Sequence, residues 1–313
     1  MRKLLVLAAA LAVAAAPASA EEFINILTGG TSGVYYPLGV ALSNIYAKAI
    51  PGAKSSVQAT KASVENLNLL QAGRGEIAFA LGDSISLAWA GNADAGFSAK
   101  LDILRGVARI YPNYVQIVAS ADADIKTLAD LKGKRVSVGA PKSGTELNAR
   151  TVLAAAGILY KDLGKVEYLA FAESVDLMKN RQLDATLQSA GLGVSSILDL
   201  ANSIAIAIVP IPTDLVHKIN DPAYAPAIIP AGTYQGQSED VPTIAIGNFL
   251  VTRDDLNQEI VYRMTKSMFD NLDALVAAHA AAKAIKLEHA LTGMPIPLHP
   301  GAARFYREKG MTP

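Results

Sequence analysis

Short apolar, β-branched runs alternate with helix-length amphipathic segments along this chain. FINIL (residues 23–27), SSVQAT, EIAFAL, VQIVAS, RVSVGA, VEYLAF and SIAIAIVP have the length and flanking residues of strands. Apolar residues recur at i, i+3 and i+4 over 34–49, 64–72, 145–156 and 257–276, which predicts helices there. Strand–helix alternation implies mainly parallel, doubly wound sheets. Residues 209–242, rich in proline, read as loop and short turns.

The pattern repeats itself. Thr31-Ser32-Gly33 opens a helix after a strand, and 31 residues beyond Ser32 stands Ser63, which opens another. Lys142-Ser143-Gly144 follows the strand RVSVG, and Ser174 lies 31 residues beyond Ser143. Each second helix feeds a further strand, EIAFAL or QLDATL. The expected fold is therefore α/β, with two similarly doubly wound α/β lobes. In such sheets ligands bind beyond the carboxyl ends of the strands, at helix starts. A helix start offers unpaired N–H groups and partial positive charge. TGGTSG and GAPKSGT combine glycines, which let a ligand approach the backbone, with hydroxyl donors. Ordinary helix capping explains one such loop; two matched loops point to an anion-binding cleft.

The N-terminus bears on compartment. Arg2 and Lys3 precede an apolar run over 4–16 and the small-residue triplet Ala18-Ser19-Ala20, the layout of a cleaved secretory leader, expected over 1–20. The run is too short for a spanning helix. Basic and acidic residues number 28 each, so no basic excess points to nucleic acid. The absence of cysteine excludes disulfides, thiol nucleophiles and Cys-based metal sites. The expected product is a soluble periplasmic protein.

The motifs TGGTSGVYYPLG, SVENLNLLQAG, GEIAFALGDS, GAPKSGT, PAGTYQGQSEDVPT and PIPLHPGAARFYREKG, in that order, resemble the TAXI family, the TRAP-associated extracytoplasmic solute-binding proteins. The resemblance implies a hinged, flytrap-like receptor of the type II periplasmic binding protein kind, capturing a small organic solute for a TRAP membrane permease. It implies a ligand such as glutamate, glutamine or 2-oxoglutarate. By motif, the first lobe contributes Gly30, Thr31, Tyr35 and Tyr36, with Ser63, Asn66, Asp83 and Ser84 from two further loops; the second contributes Ser143, Gly144, Thr145, Ala190 and Gly191. The expected limits are 21–115 for the first part of lobe 1, 116–234 for lobe 2, and 235–313 for the return of the chain to lobe 1. The crossings are expected near 111–120 outward and 232–243 back. Thr31-Ser32, Lys142 and the AGLGVSS loop depart from the family pattern in the cleft, so ligand identity transfers poorly.

Tyr35 and Tyr36 are adjacent and cannot both face the core; one is expected to present itself to a ligand. Asp83 suits a ligand ammonium or, equally, a helix cap. Trp89 is expected between helix and sheet. Arg109 and Lys142 are the candidate cations for a dicarboxylate, although each also reads as a structural or solvated charge. His299, flanked by prolines, reads as part of a packing turn. Histidines 217, 279, 289 and 299 lie in separate segments and form no metal-ligand pair, and no nucleophile elbow or phosphate loop is present. The sequence thus predicts a monomeric binding protein without cofactor, metal or catalytic residues. A binding protein for an ABC importer or a sensor kinase is the alternative, and a periplasmic hydrolase a more distant one.

Overall fold

The computed structural model describes residues 22–312; the expected leader over 1–20 lies outside the described residues. The first half runs β1 (Glu22–Leu27), α1 (Tyr35–Ala49), β2 (Ala53–Gln58), α2 (Ser63–Gln71), β3 (Ile77–Leu81) and α3 (Gly82–Ala90). A 17-residue strand, β4 (Leu104–Ser120), leads into the second half. There follow β5 (Arg135–Ser137), α4 (Gly144–Ala155), β6 (Lys165–Glu167), α5 (Phe171–Lys179), β7 (Ala185–Ala190), α6 (Ser195–Ser203), β8 (Ile206–Val209), α7 (Asp214–Ile219) and β9 (Tyr224–Ile229). The chain returns along β10 (Val241–Arg253) and closes with α8 (Gln258–Asp270), α9 (Leu272–Ala278) and α10 (Pro300–Glu308).

The two halves are wound alike. β1 lies between β2 and β3 in parallel, and β5 lies between β6 and β7 in the same way. Between the triplets, β10 and β4 run antiparallel, giving the order β2-β1-β3-β10-β4-β7-β5-β6. β4 pairs with β10 at Leu104 and with β7 from Tyr114 onward. β10 pairs with β9 over Val241–Ile246 and with β3 from Asn248, with an irregularity in its β4 register at Gly247.

The region 209–242 departs from its expected loop character. It contains α7 and β9, with Pro226 aligned opposite Ile244 of β10. β9 has only β10 as a neighbour, and an edge strand tolerates a proline that cannot donate to the ladder. Likewise, the predicted helix over 257–276 is two helices meeting at Asn271, whose amide donates to the Ser267 carbonyl at 2.8 Å. Asn and Asp compete with helical hydrogen bonding in this manner.

The apolar periodicity becomes three buried clusters. One lies mainly in the first half, joining α1, α8 and α10 to β1, β3 and β4, and extends to α5 and α6 of the second half. A second fills the other half between β4, β5, β7 and α4. A third lies under α2 and α3, with Trp89 half-buried against it and Arg105 over its ring. Two residues trade places across the halves: Leu81, at the end of β3, belongs to the second cluster, and Leu147, on α4, belongs to the third. The two halves therefore share apolar contacts.

His299 is buried at the start of α10. Its Nδ1 accepts from the Gly301 N–H at 3.1 Å, and its Nε2 lies 3.2 Å from the Leu256 carbonyl, which fixes the tautomer with the proton on Nε2. Burial holds its pKa below the usual histidine value, in keeping with a neutral capping ring. His299→Ala is expected to lower stability by about 1–2 kcal/mol in urea unfolding, the usual cost of losing a cap.

Candidate functional site: a cavity at the carboxyl ends of the parallel strands

A cavity of about 110 Å³ lies where the halves meet, roomy enough for several waters or a small organic molecule in their place. All six parallel strands end at it. Gly29, Gly30 and Tyr35 line it after β1, Thr60 to Ser63 after β2, and Leu81 at the end of β3. From the second half come Ala140 and Ser143 to Thr145 after β5, Ala170 and Phe171 after β6, and Ser189 and Ala190 at the end of β7. Tyr111 and Asn113 of β4 form the side at the crossing.

Four helix starts, those of α1, α2, α4 and α5, consequently face one space. The N–H groups of Ser63, Gly144 and Thr145 stand in first helical turns, where no intrahelical acceptor exists. The turn before α4 is built for this approach. Gly139 has φ +97°, and a Cβ there would stand 2.6 Å from Thr145 Cγ2. Ser143 Oγ caps the helix by accepting from the Glu146 N–H at 3.1 Å.

Beneath the cavity a run of amides ties the elements together. The Tyr35 hydroxyl donates to Asn248 Oδ1, and Asn248 Nδ2 donates to the Tyr111 carbonyl at 3.0 Å and to Asn113 Oδ1 at 2.7 Å. Asn113 Nδ2 donates in turn to the Ser189 carbonyl at 2.8 Å. Burial raises the pKa of Tyr35 well above the ordinary phenol value, so it remains a neutral donor. This network connects α1, β10, β4 and β7 and leaves few rotamers open to the side chains in it.

Of the thirteen residues singled out in the sequence, Gly30, Tyr35, Ser63, Ser143, Gly144, Thr145 and Ala190 line the cavity. Thr31, Tyr36, Asn66, Asp83, Ser84 and Gly191 are not in its lining. Asn66 is consumed by support: its Nδ2 donates to the carbonyls of Thr28 (2.7 Å) and Phe79 (2.9 Å), and its Oδ1 accepts from Thr60 Oγ1 (2.6 Å). Asp83 Oδ2 accepts from Asn148 Nδ2 at 2.6 Å and from the Tyr224 hydroxyl at 2.7 Å, while Oδ1 accepts from the Ser84 N–H at 2.6 Å. That carboxylate joins α3 to α4 and β9 and stays out of the cavity lining. Gly191 packs close to Tyr111 and Ala281 instead. Among the candidate cations, Arg109 reaches toward the Thr292 carbonyl outside the cavity. Lys142, exposed and at φ +62°, borders an outer groove with Glu146, Arg150 and Tyr160. Lys61, also exposed, is the only cationic side chain in the cavity lining among the described residues.

Sequence reasoning did not single out Tyr111, Asn113, Ser189 or Phe171. Asn113 was visible as a polar residue inside an apolar strand. Phe171 was obscured because α5 opens three residues before Ser174, the position the 31-residue echo marks; the Ser174 hydroxyl instead pairs with Ser137 in the core.

The family model of the NMT1-like family matches residues 26–310. The chain belongs to the NMT1-like family. This NMT1-like protein is similar in structure to the alkanesulfonate-binding protein SsuA from Xanthomonas axonopodis pv. citri bound to MOPS. That match has a TM-score of 0.51 and 16% identity, and covers 93% of this chain and 85% of the other. It is also similar to a putative L-cystine ABC transporter from Listeria monocytogenes, with a TM-score of 0.51 and 13% identity over 85% of this chain and 98% of the other. At these identities the likeness is one of fold: two α/β lobes, as in periplasmic binding proteins. Among the described residues of the NMT1-like protein, no helix is long and apolar enough to cross a membrane.

Proposed function

We propose that this protein is an extracytoplasmic solute-binding receptor of the TAXI type. It captures a small organic anion or amino acid between its lobes and presents it to a TRAP permease. The observation that carries this reading is the convergence of four helix starts on one cavity between similarly wound halves. Oriented N–H groups there favour a negative ligand without requiring a buried counter-cation. Among the described residues the lining contains serines and threonines but no histidine or carboxylate side chain to act as their base, which favours binding over catalysis. The TAXI assignment and the export of the chain rest on the sequence motifs and the expected leader. We include the lobe limits 21–115, 116–234 and 235–313 in the proposal, the last crossing better placed near Gly247, where β10 leaves β9 for β3.

A receptor for an ABC importer is the second reading, favoured by the shared fold of the putative L-cystine ABC transporter. Uptake driven by a sodium gradient without ATP separates the two.

Thermal-shift screening of the chain from residue 21 against amino acids and organic acids tests the receptor reading. A ligand at about 100 times its Kd stabilises the fold by about 2.7 kcal/mol. Thr145→Ala removes a hydroxyl that lines the cavity and is expected to shrink that shift without lowering the melting temperature of the free protein. Silence across the library removes the receptor reading.

A further inference from the structure

The cavity wall holds two buried hydroxyls that nothing among the described residues satisfies. Tyr111 is 1% exposed and Ser189 is 5% exposed; both line the cavity, and neither Tyr111 Oη nor Ser189 Oγ has a hydrogen-bond partner. The neighbouring polar groups are already engaged: Tyr35 with Asn248, and Asn113 with Asn248 and Ser189's own carbonyl. Buried polar groups are nearly always paired, so two orphans in one wall mark the place of a missing partner.

The remaining chemistry narrows what that partner is. Four helix starts supply partial positive charge and open N–H groups, which attract one anionic group and repel an ammonium. Among the described residues no carboxylate side chain lines the cavity. Two acids of this region are buried: Asp83 has its two oxygens occupied by Asn148, Tyr224 and Ser84, and Glu146 pairs with Arg150 at the outer groove. An enclosed ammonium would have no counter-charge. A second carboxylate fares no better, because the only cation in the lining among the described residues is the exposed Lys61. Val34, Leu81, Phe171 and several alanines complete the wall and suit an apolar body.

We propose that the ligand is a short-chain organic monoanion with an apolar body and one uncharged keto or hydroxyl oxygen. Its carboxylate lies at the helix starts, and its second oxygen pairs with Tyr111 Oη and Ser189 Oγ. The inference rests on the receptor reading and refines it against both amino acids and dicarboxylates.

Titration calorimetry of the mature chain with 2-oxobutyrate, butyrate, glutamate and succinate tests it. 2-Oxobutyrate is expected to bind at least about tenfold more tightly than each of the other three, the scale of losing a buried hydrogen bond or stranding a charge. Tyr111→Phe and Ser189→Ala are each expected to weaken 2-oxobutyrate about tenfold and to erase its advantage over butyrate. Because these hydroxyls have no hydrogen-bond partner among the described residues, both variants should melt no lower than wild type in the absence of ligand. Tighter binding of glutamate or succinate, or unchanged 2-oxobutyrate affinity in both variants, overturns this inference and leaves the receptor intact. Failure of all four probes overturns it as well. The receptor reading itself falls only if the whole amino-acid and organic-acid library is silent.

Discussion

Gly144→Val is expected to weaken solute binding by about 5- to 150-fold while each half stays folded. A Cβ at Gly144 would stand 2.7 Å from Leu81 Cδ1, 2.7 Å from Ser63 Oγ and 3.0 Å from Ser63 Cβ. Separations below 3.0 Å force something to move, and overpacking typically costs about 1–3 kcal/mol. Here the cost falls on the approach of the halves, because Gly144 begins α4 whereas Ser63 and Leu81 belong to the other half. Leu81 and Leu147 each pack in the opposite half's cluster, so the wedge also opens an apolar contact. Calorimetry with the solute giving the largest thermal shift measures the loss. X-ray scattering on the liganded protein should show a larger radius for the variant. Wild-type affinity in Gly144→Val would mean that the bound form does not bring these residues together.

Asp83 carries the second large effect, through pH. Burial pushes its carboxyl pKa up to about 6 from an ordinary 3.8, against the lowering influence of its hydrogen bonds from Tyr224 and Ser84. The folded protein thus holds this proton more tightly than the unfolded chain does. The resulting stabilisation is complete below the unfolded pKa. It is lost as pH rises through the folded one, and amounts to about 3 kcal/mol over the window from about pH 4 to 6. Asp83→Asn cannot titrate. Its stability relative to wild type should therefore rise by about that amount across the window, as followed by urea unfolding at several pH values. A flat difference would show that the carboxyl is not desolvated as the packing of α3 against α4 and β9 implies. Above pH 6 the ionised carboxylate remains paired with Asn148 and Tyr224 and ties the two halves at the cavity's edge.

The helical and strand periodicities determined most of the framework. α1, α2 and α4 begin and end within a residue of the spans read from apolar spacing, since each lays one face on a sheet. The spacing of Ser32–Ser63 and Ser143–Ser174 carried the doubled winding, because each half repeats strand, helix, strand in the same order. The loops TGGTSG and GAPKSGT were legible as helix starts from their glycines and hydroxyls, a local property of the backbone.

The sequence by itself determined two α/β lobes and the glycine–hydroxyl turns that begin their helices. Tertiary structure alone decided which polar groups remain free. Asn66 and Asp83 have the chemistry of ligand contacts, yet folding spends them on Thr28, Phe79, Asn148 and Tyr224. Tyr111 and Ser189 look unremarkable along strands, yet the crossing of β4 beside β7 leaves their hydroxyls buried without partners. Periodicity reports which face of an element is covered; it cannot report which donor finds an acceptor. That depends on residues distant in sequence, as in the separation of 137 between Asn248 and Tyr111.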